Sequence, residues 1–127
     1  MSHTPRNILV VGAGPAAWRF VRAYHEGAEA AGRAADTITV LNDEPYIPYD
    51  RVAIEKIFKD TEKDLTLGDP ELWNAENINL VNNCHAEKLD RTRRVVTDTE
   101  GNEYPYDVLV FATGSRAVRI PILNSDA

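Results

Sequence analysis

Six consecutive residues, Gly12-Ala13-Gly14-Pro15-Ala16-Ala17, have the types and spacing suited to holding a diphosphate. In this Gly-x-Gly-x-x-Ala pattern Gly12 permits a tight turn and Gly14 lets the backbone approach phosphate oxygens. Ala17 stands where Gly or Ala allows close helix–strand packing. The chemistry is electrostatic: the unpaired N–H groups and positive dipole end of a helix starting here attract an anion. The alternative is a turn of the same shape that binds nothing. Further along, Asn42-Asp43-Glu44 stand where a dinucleotide fold places the acid that accepts hydrogen bonds from a ribose. Either Asp43 or Glu44 can serve, or the segment is a solvated acidic turn. Arg51 and Lys56 are the nearest cations, suited to a diphosphate or the polar edge of a cofactor ring, or equally to a helix surface. Tyr46 and Tyr49 beside Pro45 and Pro48 read as loop packing. Ala112-Thr113-Gly114 forms a second small-residue turn, through which the chain can pass close to a bound cofactor.

Other chemistries find little support. His3, His25 and His85 fall on a tail, a helix and a strand without metal-ligand spacing, and read as structural or surface residues. Cys84 is the one cysteine, which rules out an internal disulfide, a Cys-x-x-Cys pair and a cysteine metal cage. It reads as a buried, inert thiol in a strand region. No Ser/His/Asp grouping suggests hydrolysis, and no residue reads as a general acid, base or nucleophile.

The elements that must position these residues follow from periodicity. Ile8-Leu9-Val10-Val11 is a short apolar run of the kind buried on both faces of a parallel sheet. Ala17, Phe20, Val21, Tyr24, Ala28 and Ala31 recur every three or four residues, predicting an amphipathic helix stopped at Gly32. Thr37 to Leu41 reads as a second strand, completing a βαβ unit that crosses over right-handedly with parallel strands. Asn42 to Asp60 predicts a proline-rich, extended path with a short helix from Asp50 to Lys59. Asp69-Pro70 predicts an N-cap and first helical position, the helix ending near Glu76. Short strands follow at Ile78–Val81, His85–Leu89, Val95–Asp98 and Glu103–Tyr106, then a buried strand over Asp107–Ala112. The fold class is therefore α/β: a Rossmann-like parallel sheet with a βαβ dinucleotide-binding unit and an antiparallel β-meander.

The chain has 127 residues, within the usual ~100–200 for one domain, and its 43% hydrophobic content supports an ordinary core. A net charge of −6 gives no reason to expect nucleic acid or an anionic membrane as partner. Any anionic cofactor must then be held by local N–H groups and a few placed cations. Neither a secretory signal nor a membrane span is present, so the expected location is the cytoplasm. Ile120 to Ala127 supply no closing element, so the chain reads as the N-terminal piece of a longer one. The oligomeric state stays open.

Together, Val10-Val11-Gly12-Ala13-Gly14-Pro15-Ala16-Ala17, the meander and Tyr106-Asp107-Val108-Leu109-Val110-Phe111-Ala112-Thr113-Gly114-Ser115 resemble the pyridine-nucleotide-dependent flavoprotein oxidoreductases. The resemblance runs from Asn7 to Pro121 and implies the first part of an FAD domain. Tyr49-Asp50-Arg51-Val52 resembles the corresponding loop of NAD(P)H-dependent nitrite reductase large subunits. Ferredoxin and rubredoxin reductases share the spacing of Arg51 and Lys56 but differ at Val52 and Glu55. The resemblance implies that Gly12 to Ala17 hold the FAD diphosphate and that Asn42 to Glu44 meet the adenosine ribose. It further implies that Arg51 and Lys56 face the diphosphate and flavin, that Ala86 offers backbone contacts to adenine, and that Ala112-Thr113-Gly114 pass beside the cofactor. NAD(P)H, an iron–sulfur and sirohaem acceptor and the remaining domains belong to the complete enzyme that it implies. The alternatives are a ferredoxin or rubredoxin reductase fragment and a non-catalytic nucleotide-binding regulatory module.

Overall fold

In the computed structural model the described residues are 4–28, 30–33, 36–45 and 70–114. Strand β1 (Asn7–Val11) leads into helix α1 (Pro15–Ala28), which returns to strand β2 (Thr37–Leu41). Helix α2 (Pro70–Trp73) and strand β3 (Ile78–Val81) follow. Then come β4 (Ala86–Asp90), β5 (Val95–Asp98), β6 (Glu103–Pro105) and β7 (Val108–Phe111). Two sheets result: a four-stranded sheet in the order β3-β2-β1-β7, and a three-stranded sheet in the order β4-β5-β6. All pairings in the first are parallel, and those in the second are antiparallel. The expected Rossmann-like sheet and meander are both present.

The alternation of side chains along β1 explains the layering. Ile8 and Val10 point to one face, where they join Ala17 and Val21 of α1, Ile38 and Val40 of β2, Trp73 and Ile78. Leu9 and Val11 point to the other, where they meet Leu41, Cys84 and Val96, with Tyr104 and Tyr106 packed alongside. The parallel sheet is thus covered by α1 on one face and by the meander on the other. This is why β1 needs apolar residues at every inner position.

Helix α1 ends at Ala28, short of the predicted stop at Gly32, which instead closes the turn that follows. Gly32 has a positive φ of 70°, and the Arg33 N–H donates to the Ala28 carbonyl at 2.7 Å, the long bond of a glycine-capped helix terminus. Several predicted boundaries move. The helix expected to reach Glu76 stops at Trp73, because Trp73 is buried in the core and the Ile78 N–H turns back onto the Ala75 carbonyl at 3.1 Å to enter β3. His85 precedes β4, and Cys84 lies in the β3–β4 connection rather than in a strand. Strand β6 stops at Pro105 instead of Tyr106, and β7 is one residue shorter at each end than predicted. The predicted helix from Asp50 to Lys59 lies outside the described residues. No described helix is long and apolar enough to cross a membrane.

Candidate functional site

Because β1, β2 and β7 run parallel, their carboxyl ends open on the same edge of the sheet, where α/β folds bind ligands. Gly12 follows β1 directly, and its N–H donates to the Leu41 carbonyl at the end of β2 (2.9 Å). On the other side the Ala112 N–H donates to the Val11 carbonyl at 2.8 Å. The two small-residue turns therefore meet. A Cβ on Gly12 would lie 2.1 Å from the Ala112 carbonyl oxygen, and Gly12 has φ +111°. Gly12 is required by this contact as well as by the turn.

Between these ends lies a cleft of about 620 Å³, lined by Gly12 to Ala16, Asp43, Glu44, Cys84 to Ala86 and Ala112 to Gly114, among others. That is within the range of cofactor pockets. The start of α1 faces it. Pro15 occupies the first helical position and has no N–H to lose, while the next N–H groups lack intrahelical carbonyls. No acidic residue stands in the first turn of α1, so its positive end is uncompensated within the helix. Asp43 and Glu44, just beyond the end of β2, line the cleft.

Most of the sequence-predicted residues converge here, with exceptions. Ala17 is fully buried against the sheet and does not line the cleft, in keeping with its packing role. Asn42 is only 2% exposed: its amide donates to the Asn82 side chain (3.0 Å), its Oδ1 accepts the Glu44 N–H (3.1 Å), and its carbonyl accepts the Cys84 N–H (2.8 Å). Its side chain braces the turn that carries Asp43 and Glu44 against Asn82. Arg51 and Lys56 lie outside the described residues.

Four lining residues were not assigned to the site from the sequence: Val11 and Leu41, the strand ends beside the turns, and Cys84 and His85. His85, read as structural or surface, is exposed in the cleft wall, and Cys84 lies buried beneath it. No sequence signal marked these last two, since their place depends on the meander folding against the sheet. Cys84 belongs to a polar network centred on Asp98, which is 4% exposed. Asp98 Oδ1 accepts the N–H groups of Glu100 and Asn102 (both 2.9 Å). Its Oδ2 accepts the Asn102 amide (3.1 Å), the Tyr104 hydroxyl (3.1 Å) and the Cys84 thiol (3.7 Å). Burial pushes the Asp98 carboxyl up, but the donors from Asn102, Tyr104 and Glu100 outweigh it and hold it below the usual carboxylate range. Burial and the nearby Asp98 charge raise the Cys84 thiol, against the contact with Tyr104, and so keep it protonated. Contact with Cys84, burial and Asp98 raise the Tyr104 phenol likewise.

The family model for pyridine nucleotide-disulphide oxidoreductases matches residues 6–126. The chain belongs to that family. It is 30% identical over 121 residues to the NADH-rubredoxin oxidoreductase of Clostridium acetobutylicum, covering 94% of this chain and 30% of that protein. Identity to the nitrite reductase [NAD(P)H] of Bacillus subtilis is 33% over 123 residues, covering 95% of this chain and 15% of that one. The crystal structure of a ferredoxin reductase from Rhodopseudomonas palustris superposes with a TM-score of 0.77 at 25% identity, covering 94% of this chain and 29% of that one. The chain thus spans less than a third of each of these relatives. Homologues in the family bind FAD and NAD(P)H. Despite the family's name, the single Cys84 cannot form a disulfide within this chain.

Proposed function

We propose that residues 1–127 are the FAD-binding N-terminal domain of a longer NAD(P)H-dependent flavoprotein oxidoreductase. The observation that carries this reading is the meeting of the Gly12 turn with the Ala112–Gly114 turn, in one cleft at the start of α1. The residues present fit the adenosine diphosphate portion of FAD: small residues and free N–H groups for the diphosphate, and carboxylates for the ribose. Gly12 to Ala16 hold the diphosphate, Glu44 or Asp43 accepts from the ribose, and Ala86 meets adenine through its backbone. Thr113 and Gly114 pass beside the cofactor, and Arg51 and Lys56 face the diphosphate and flavin. FAD, when bound, supplies hydride acceptance from NAD(P)H and release of electrons one at a time. The chain's own part is to bind and orient it.

For the acceptor, we favour the iron–sulfur and sirohaem centres of a nitrite reductase large subunit. Tyr49-Asp50-Arg51-Val52 supports this, as does the similarity to the Bacillus subtilis enzyme. A rubredoxin or ferredoxin acceptor is the second reading, supported by the similarity to the clostridial rubredoxin oxidoreductase and by the spacing of Arg51 and Lys56. The test is to purify the full-length protein that carries this chain, record its flavin spectrum and add NADH or NADPH. Bleaching of bound FAD followed by reoxidation with nitrite is the expected result. Reoxidation by rubredoxin or ferredoxin alone selects the second reading, and a protein that binds no FAD refutes both.

A further inference from the structure

The cleft wall made by Cys84, His85 and Ala86 belongs to neither glycine turn, and it is held in place from both sides. Towards β2, the Cys84 N–H donates to the Asn42 carbonyl (2.8 Å) and the Asn83 N–H to the Glu44 carbonyl (3.1 Å). Towards the meander, the Thr99 N–H donates to the His85 carbonyl (3.0 Å), and Cys84 Sγ lies 3.7 Å from Asp98 Oδ2 and 3.6 Å from the Tyr104 hydroxyl. The two oxygens of Asp98 divide the work. Oδ1 accepts the backbone N–H groups that shape the β5–β6 turn, whereas Oδ2 accepts the Asn102 amide and the Tyr104 hydroxyl within the meander and reaches across to Cys84. A turn needs only the first set. The contact of Oδ2 with Cys84 joins the meander to the wall, although neither Asp98 nor Tyr104 lines the cleft.

We propose that Asp98 and Tyr104 are positioning residues for the adenosine half of the cleft, acting through the Cys84 thiol. The inference rests on the reading that this cleft holds FAD. The wall adjoins Glu44 through the Asn83 bond, beyond the acidic turn assigned to the ribose, so it faces the base rather than the diphosphate. Buried polar networks transmit loss of one member to the others, because each unsatisfied group must find a new partner. Freeing the wall from Asp98 lets it relax away from the position that accepts adenine, while the α1 N-terminus, anchored by the parallel sheet, stays put.

The test uses the full-length protein as apoprotein, titrated with FAD by quenching of flavin fluorescence, with adenosine and pyrophosphate as competitors. FAD binding by the unaltered protein is the check on the underlying reading; if there is none, the cleft assignment and this inference fall together. Tyr104→Phe keeps the ring and removes the hydroxyl. It is expected to raise the FAD dissociation constant about tenfold, the scale for a lost bond to a charged group. Adenosine competition should weaken by the same factor, and pyrophosphate competition should not change. Cys84→Ala, a smaller truncation in the same network, should give the same pattern at lower amplitude. FAD affinity equal to the unaltered protein in both variants, or equal losses for adenosine and pyrophosphate, overturns the proposal.

Discussion

At Gly12 a methyl group would have to occupy the space of the Ala112 carbonyl, 2.1 Å from its oxygen, on a backbone already at φ +111°. Strain at positive φ and overpacking each cost about 1–3 kcal/mol, so Gly12→Ala is expected to destabilise the fold by about 3 kcal/mol or more. A shift of the urea midpoint measures this, and a variant as stable as its parent would contradict the contact. The need for Gly12 was legible in the sequence, but its reason was only partly so: spacing suggested a turn, and the neighbouring strand end supplies the stricter demand. Asp98 makes a second residue-scale prediction. Its folded-state pKa is depressed by its donors, so its contribution is present above the unfolded value of about 3.9 and lost as pH falls through the folded value. Asp98→Asn lacks this titration. Its stability is expected to be lower at neutral pH and to fall less steeply below about pH 4, as read from unfolding midpoints across that range. Parallel acid limbs for the two proteins would remove Asp98 from the account.

At the level of elements, α1 serves both fold and site with different faces. Ala17, Val21 and Ala28 are buried on its inner face, while Ala16 is exposed at the cleft. Ala16→Asp separates the two. A carboxylate in the first turn complements the helix dipole by about 0.3–1 kcal/mol, so stability holds or rises slightly. The same charge repels a diphosphate, and FAD affinity is expected to fall at least about tenfold. A calorimetric unfolding scan beside an FAD titration distinguishes these effects; unchanged FAD affinity would mean the α1 N-terminus does not face the cofactor. The opening β1–α1–β2 unit was legible because each element carries a local period and a nearby stop, as Gly32 is just past α1. The helix at Pro70–Trp73 is shorter than its local signals predict, since its end is set by burial of Trp73 and by the nearness of β3, neither of which is local.

Across the whole molecule, β1 and β2 each have parallel partners on both sides, and β1 has apolar neighbours on both faces. Amides of β1 are therefore expected to exchange slowest with solvent, and those of β6, paired on one side only, faster. Slower exchange in β6 than in β1 would place the stable core in the meander. From sequence alone came the βαβ order, the parallel sense of β1 and β2, the meander and the phosphate-suited turn, because periods, glycine spacings and caps act over a few neighbouring residues. Only the tertiary structure decided that Asn42 turns inward as a brace and that His85 and Cys84 form a cleft wall. It likewise decided that Asp98 ties the meander to that wall. Those outcomes depend on strand register and on how the meander covers the second face of the sheet, which join residues far apart in the chain and leave no pattern in any short stretch of it.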